Sequence, residues 1–202
     1  MISSRISSSL FKIAFSIAIV TSQLAAVAEL KLPAIISDHM VLQQKQANPI
    51  WGWDAPGTEV TVTLGDQVKK AKAGDDGKWT VKLDPLDANA EPSIIVIDGS
   101  SRREIKDVLV GEVWMCSGQS NMGMTLAGDW KSEVESLSSN HPNLRLISVP
   151  RVGTQELQND FKGQWESANS SNCKSFSAVG FFYGRYLHKI LGVPVGLINN
   201  AW

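Results

Sequence analysis

Runs of positive charge are missing from this sequence. No stretch of Lys or Arg exceeds the pairs Lys69-Lys70 and Arg102-Arg103. Nineteen basic residues stand against 20 acidic ones, a formal net charge of −1. Nucleic-acid binding needs a clustered basic surface, so no nucleic-acid partner is expected. The apolar run near the N-terminus, Ile13 to Val20, is also short. It holds eight residues, whereas a helix crossing ~30 Å of hydrocarbon takes roughly 20. Arg5 and Lys12 flank it on one side and Ala26-Val27-Ala28 follows on the other. These are the three parts of a secretory signal peptide. Residues 1–28 are therefore expected to be a cleaved signal peptide, with an uncleaved anchor as the competing reading. Cleavage removes two bases and no acids, which takes the net charge from −1 to −3. It leaves no membrane attachment and puts the protein in the periplasm or outside the cell.

Cysteine is scarce. Cys116 and Cys173 are the two present. An exported protein can form disulfides, but two buried free thiols fit equally well. Cys116 is not expected to be a nucleophile. It lies in an apolar stretch with no basic neighbour in sequence to lower its pKa.

The composition, 43% apolar and 19% charged, supports a real core. Residues 29–105 read as an all-β module. Val60, Val62 and Leu64 alternate with Glu59, Thr61 and Thr63, the period of a half-buried strand. Trp79, Val81 and Leu83 alternate with Lys78, Thr80 and Lys82 beyond the turn residues Gly74 to Gly77. The two runs suggest a hairpin. Ile94 to Ile97 is continuous and fits a strand buried on both faces. Short strands without helical patterning indicate a small sandwich. Trp51-Gly52-Trp53 fits its core better than a sugar-stacking platform. Asp75-Asp76-Gly77 is a turn and lacks the alternating acids of a calcium loop.

The pattern changes near residue 106. Val108 to Cys116 is an apolar strand, and Leu144 to Val149 is another. Ala178 to Leu191 has helical spacing, with Val179, Phe182, Tyr186 and Ile190 on a stripe widened by Ala178, Phe181 and Leu191. Gly192 and Pro194 end it, and Val195 to Ile198 is the next strand. Strands alternating with helical patterns indicate an α/β module with a parallel sheet over 106–202. About three parallel strands are expected, fewer than the usual roughly 4–6. The chain also stops as a buried strand reaches its carboxyl end. The sheet is therefore expected to be incomplete in this chain.

The stretch GEVWMCSGQSNM, residues 111–122, ends that first strand in Ser117-Gly118-Gln119-Ser120-Asn121. Ligands of open α/β sheets bind beyond the carboxyl ends of the strands. Ser117 and Ser120 are both candidate nucleophiles there. Ser120 is favoured because it is nearer the expected start of a helix at Asn121, where free backbone N–H groups can stabilise an oxyanion. An ordinary polar turn is the competing reading. The motif is not G-x-S-x-G, since Met122 fills its last position. A serine also needs a base, and histidine is scarce, with three in the chain. His39 lies in the β module. His141 and His188 fall toward the amino end of the sheet, and His188 suits the end of its helix as a cap. None is expected to meet Ser120.

The block GEVWMCSGQSNM resembles the nucleophile block of the sialate O-acetylesterase family, a branch of the SGNH (GDSL-like) hydrolases. Ser37 to Gln43, Pro49 to Trp53 with Pro56-Gly57, Gly77-Lys78-Trp79 and Phe176 to Arg185 resemble further stretches in the same order, from about residue 30 onward. The resemblance implies an SGNH-like α/β domain after the sandwich. It also implies a secreted serine esterase that takes acetyl groups off O-acetylated carbohydrates without metal or cofactor. Ser120 would be the nucleophile, with Gln119 and Asn121 as oxyanion or substrate-binding neighbours. The family's Gln-Gly-Glu stretch and Asp-x-x-His pair have no match here, and Asp38-His39 is not that pair. The missing base is expected beyond Trp202, so the 202-residue chain alone should be inactive. Acetyl xylan or another glycan ester is the alternative substrate. A non-catalytic carbohydrate-binding protein with Trp51, Trp53 and Trp79 exposed is the alternative class. Asn169-Ser170-Ser171 fits a glycosylation acceptor pattern.

Overall fold

The computed structural model describes residues 29–202, so the expected signal peptide lies outside the described residues. In chain order the strands are β1 Val41–Gln43, β2 Asn48–Trp53, β3 Glu59–Leu64, β4 Gln67–Lys72, β5 Lys78–Leu83, β6 Asn89–Asp98, β7 Arg102–Gly118, β8 His141–Ser148, β9 Glu166–Ala168 and β10 Val195–Ala201. The α-helices are α1 Ser120–Gly123, α2 Ser132–Leu137 and α3 Ala178–Leu191.

The large sheet runs β4-β3-β6-β7-β10-β8-β9, with β1 added parallel to β7, and β2 and β5 form a separate antiparallel pair. β7 joins the two kinds of structure. Through Val110 it is antiparallel to β6, and from Glu112 to Gly118 it is parallel to β10. β10 is in turn parallel to β8. The parallel triple β7-β10-β8 with α3 against it is the α/β arrangement expected from the sequence. β7 passes through residue 105 without interruption.

The alternation in β3 and β5 buries the expected residues, because each strand turns one face to the sandwich core. Three other expectations are corrected. β3 forms its hairpin with β4, and β5 pairs with β2 in the other sheet. β4 escaped notice because it is an edge strand whose inner positions are Gln67, Lys69 and Ala71, while Val68 faces outward. Ile94 to Ile97 is not buried on both sides. Ile95 and Ile97 are fully buried while Ile94 is 49% exposed, because β6 covers the sandwich core with one face only. The buried face of α3 also differs from the expected stripe. Ala178, Gly180, Phe181 and Gly184 are buried, whereas Val179, Tyr186, Ile190 and Leu191 are exposed. The helix reaches the sheet through its glycines. A Cβ on Gly184 would lie 2.5 Å from Leu197 Cδ1, and one on Gly180 would lie 2.9 Å from Cys116 Sγ. Ser177 caps α3 by accepting the Gly180 N–H at 3.1 Å.

Two apolar clusters result. One fills the sandwich and extends under the parallel strands through Ile147 and Trp165. The other lies between those strands and α3 and holds Cys116, Leu144, Cys173, Phe181 and Leu197. Cys116 and Cys173 are free buried thiols, and Cys173 Sγ lies 2.8 Å from Ser139 Oγ. Burial pushes the Cys116 thiol above its ordinary pKa. Trp79 is core, while Trp51 and Trp53 lie half-buried on the other face of β2.

Candidate active site

The site is built at the carboxyl ends of the parallel strands. β7 ends in Gly118 at φ +149°, a conformation that L side chains rarely adopt. This turns the chain away from β7, and α1 follows as a single turn closed by Gly123 N–H donating to Gln119 O at 2.8 Å. Ser120 opens that turn and is exposed. Its hydroxyl has no hydrogen-bond partner among the described residues. As the first residue of a helical turn, its backbone N–H has no intrahelical acceptor. Gln119 and Asn121 flank it and are also exposed. Ser117 stays within β7, paired in register with Asn200.

A cavity of about 360 Å³ opens over Ser120, lined by Gln119, Ser120, Gly123, Met124, Arg151 and Trp202. The carboxyl end of β10 is tied back to the nucleophile turn, because Trp202 N–H donates to Gly118 O at 2.7 Å. Arg151, just past β8, spans both. Its Nε donates to Ala201 O at 3.3 Å and its Nη2 to Gly123 O at 3.4 Å. Sequence reasoning missed Arg151 and Trp202. Neither carries a local motif, and only the parallel pairing of β8, β10 and β7 brings them to Ser120.

The three histidines lie at the other end. Leu144 and Glu112 are both register partners of Val195, and His141 opens β8 three residues earlier. At about 3.3 Å per residue, His141 is on the order of 30 Å from Ser120. Its Nε2 is buried without a partner, and burial, with help from Arg185 and His188, holds its pKa below the ordinary value. His188 Nδ1 donates to Val193 O at 2.7 Å, ahead of β10. His39 Nδ1 lies 2.6 Å from Asp107 Oδ2. Arg145, 3% exposed, grips the same carboxylate at 2.7 and 3.0 Å. These bonds, the one from Arg145 first, hold the Asp107 carboxyl below its ordinary pKa. His39 and Asp107 both have positive φ, 68° and 55°, a conformation that is uncommon outside glycine. This pair is a clamp at the amino end, beside a cleft of about 980 Å³ that also holds Ser37, Asp38 and Trp165. That cleft is larger than the Ser120 cavity but lies at the opposite end of β7. Among the described residues, no histidine reaches Ser120.

Among the described residues, no group of three or more His, Cys, Asp and Glu side chains is placed to hold a metal ion. No helix there is long and apolar enough to cross a membrane. The Asn169 side chain is engaged. Its Oδ1 accepts the N–H groups of Ser171 and Asn172, and its Nδ2 donates to Ser167 O.

No family model matches the chain. Its fold is that of a carbohydrate acetylesterase over the part compared. The crystal structure of such an enzyme from Xanthomonas citri superposes with a TM-score of 0.82 at 32% identity, covering 86% of this chain and 40% of that one. The chain is a homologue of the sialate O-acetylesterases. It is 35% identical to that of Pongo abelii and 34% identical to that of Homo sapiens, each over 195 residues and 85% of the chain. It spans 37% of the length of these relatives.

Proposed function

We propose that this chain is the nucleophile-bearing part of a serine esterase that removes O-acetyl groups from carbohydrates. The observation that carries the reading is the exposed, unpartnered Ser120 hydroxyl at the carboxyl end of a central parallel strand, facing a cavity. The names of the homologues support the same chemistry. Ser120 Oγ attacks the acetyl carbonyl and its proton passes to a base. The tetrahedral oxyanion is met by the Ser120 N–H, with Gln119 and Asn121 beside it. The C–O bond to the sugar breaks, the sugar hydroxyl leaves with a proton, and an acetyl-enzyme remains. Water then attacks this ester and releases acetate. A single oxyanion donor is typically worth about 3–4 kcal/mol of barrier. The base and its orienting acid come from polypeptide outside residues 29–202, as the family's Asp-x-x-His pair implies. These residues alone are therefore expected to be inactive.

The substrate we propose first is an O-acetylated sialic acid, and acetyl xylan or another glycan ester comes second. The mature protein works in the periplasm or outside the cell, after the leader 1–28 is removed. Of the three tryptophans that a purely sugar-binding β module would expose, Trp79 is buried, which counts against that role, while Trp51 and Trp53 are half-buried and do not decide it. The test is acetate release from O-acetyl sugars by a chain extended to the relatives' length, with Ser120→Ala beside it. Release should fall to background in the variant. Unchanged turnover would end the assignment.

A further inference from the structure

Arg151 stands on the wall between two cavities. On one side is the Ser120 cavity. On the other is a groove of about 860 Å³ lined by Pro150, Phe161 and Trp202 among others, with Lys31, Lys162 and Asp160 as its other charged residues. A sugar whose acetyl group reaches Ser120 would extend across Arg151 and Trp202 into this groove. The guanidinium is not neutralised. Its bonds go to two backbone carbonyls, both at 3.3 Å or more, and Nη1 has no partner among the described residues. Room is kept for it, since a Cβ on Gly123 would lie 2.6 Å from Nη2. The groove's one acid, Asp160, keeps its charge but forms no ion pair with Arg151, Lys31 or Lys162 among the described residues. Asp160 Oδ1 is already taken by the Ala34 and Phe161 N–H groups, each at 2.8 Å. Lys31 and Lys162 form no ion pair among the described residues, although Lys31 Nζ lies over the Trp53 ring. Three cations therefore line one groove in a chain whose net charge is negative.

Resting on the esterase reading of Ser120, we propose that Arg151 is the specificity-determining residue of this site and binds the carboxylate of an acidic sugar. A planar guanidinium matches a carboxylate with two parallel hydrogen bonds, and lysine does not reproduce that fork. The flanking lysines add an attractive field, and Trp202 offers an apolar face to the sugar ring.

Binding alone tests this, with probes that carry no O-acetyl group. The methyl glycoside of N-acetylneuraminic acid and its carboxyl methyl ester are titrated against this chain by ligand-observed NMR. The acid should bind at least about tenfold tighter than the ester, and the margin should shrink as salt screens the charge. Arg151→Ala should remove the margin and leave the ester's affinity unchanged, and Arg151→Lys should keep part of it. The proposal is overturned by equal binding of the two probes, by binding of neither, by a margin that survives Arg151→Ala, or by equal weakening of both in that variant, which would mark a structural role. The result is separable from the esterase reading. Undiminished acetate release by Ser120→Ala would remove that reading and leave a measured acid preference standing.

Discussion

Asp107 receives the buried Arg145 in a two-pronged grip and the His39 ring on one of the same oxygens. Removing its charge leaves Arg145 without a counter-ion, which costs about 3 kcal/mol or less for Asp107→Asn, the low end because Asp107 keeps contact with solvent. Its folded-state pKa is depressed, so its stabilisation is full above the unfolded value near ~4 and is lost as pH falls through the lower folded value. Denaturant unfolding of wild type and Asp107→Asn should show a gap that is full at neutral pH and closes below about pH 4. A gap independent of pH would contradict the role given to this carboxylate. The thiols give a second check. Both are buried and the Cys116 pKa is raised, so neither should react with a thiol reagent in the native protein, and both should react on unfolding. Ser120 was legible in the sequence because strand, glycine and serine are contiguous there. Arg151 was not legible, because its place depends on the registers of β8 and β10, which no local pattern encodes.

The same contrast holds for the elements. The bounds of α3 could be read from its helical spacing and its stop at Gly192 and Pro194, but its buried face could not. Periodicity weighs large apolar side chains, whereas α3 packs through Gly180 and Gly184 and leaves Tyr186 63% exposed. A larger residue at 184 must displace Leu197 or lift the helix. Gly184→Val is expected to destabilise by about 1–3 kcal/mol through overpacking, seen as a lower denaturation midpoint. Stability equal to wild type would mean that α3 does not sit on β10 this closely. The strand pairing was misread for a related reason. The turn at Gly74 to Gly77 joins β4 and β5, which lie in different sheets, and turn chemistry does not report which sheet a strand joins.

For the molecule as a whole, β7 is the shared member. It pairs with β6 in the sandwich and with β10 in the α/β part, and one apolar cluster runs from Val60 and Trp79 to Ile147 and Trp165. The change in pattern near residue 106 was visible in the sequence, but the continuity of β7 was not, since a composition shift does not show whether a strand crosses it. The two parts should open together. Native-state hydrogen exchange at Ile97 in β6 and Leu197 in β10 should give the same opening free energy. Values several kcal/mol apart would show two independent units.

The central claim is that Ser120 carries the acetyl group during turnover. An activated acetate ester, mixed with a chain extended to the relatives' length and quenched in acid within the first turnover, tests it by peptide mass spectrometry. A single acetyl adduct on the peptide holding Ser120, absent in Ser120→Ala, is the predicted result. An adduct on another residue, or turnover with no adduct on Ser120, would contradict it.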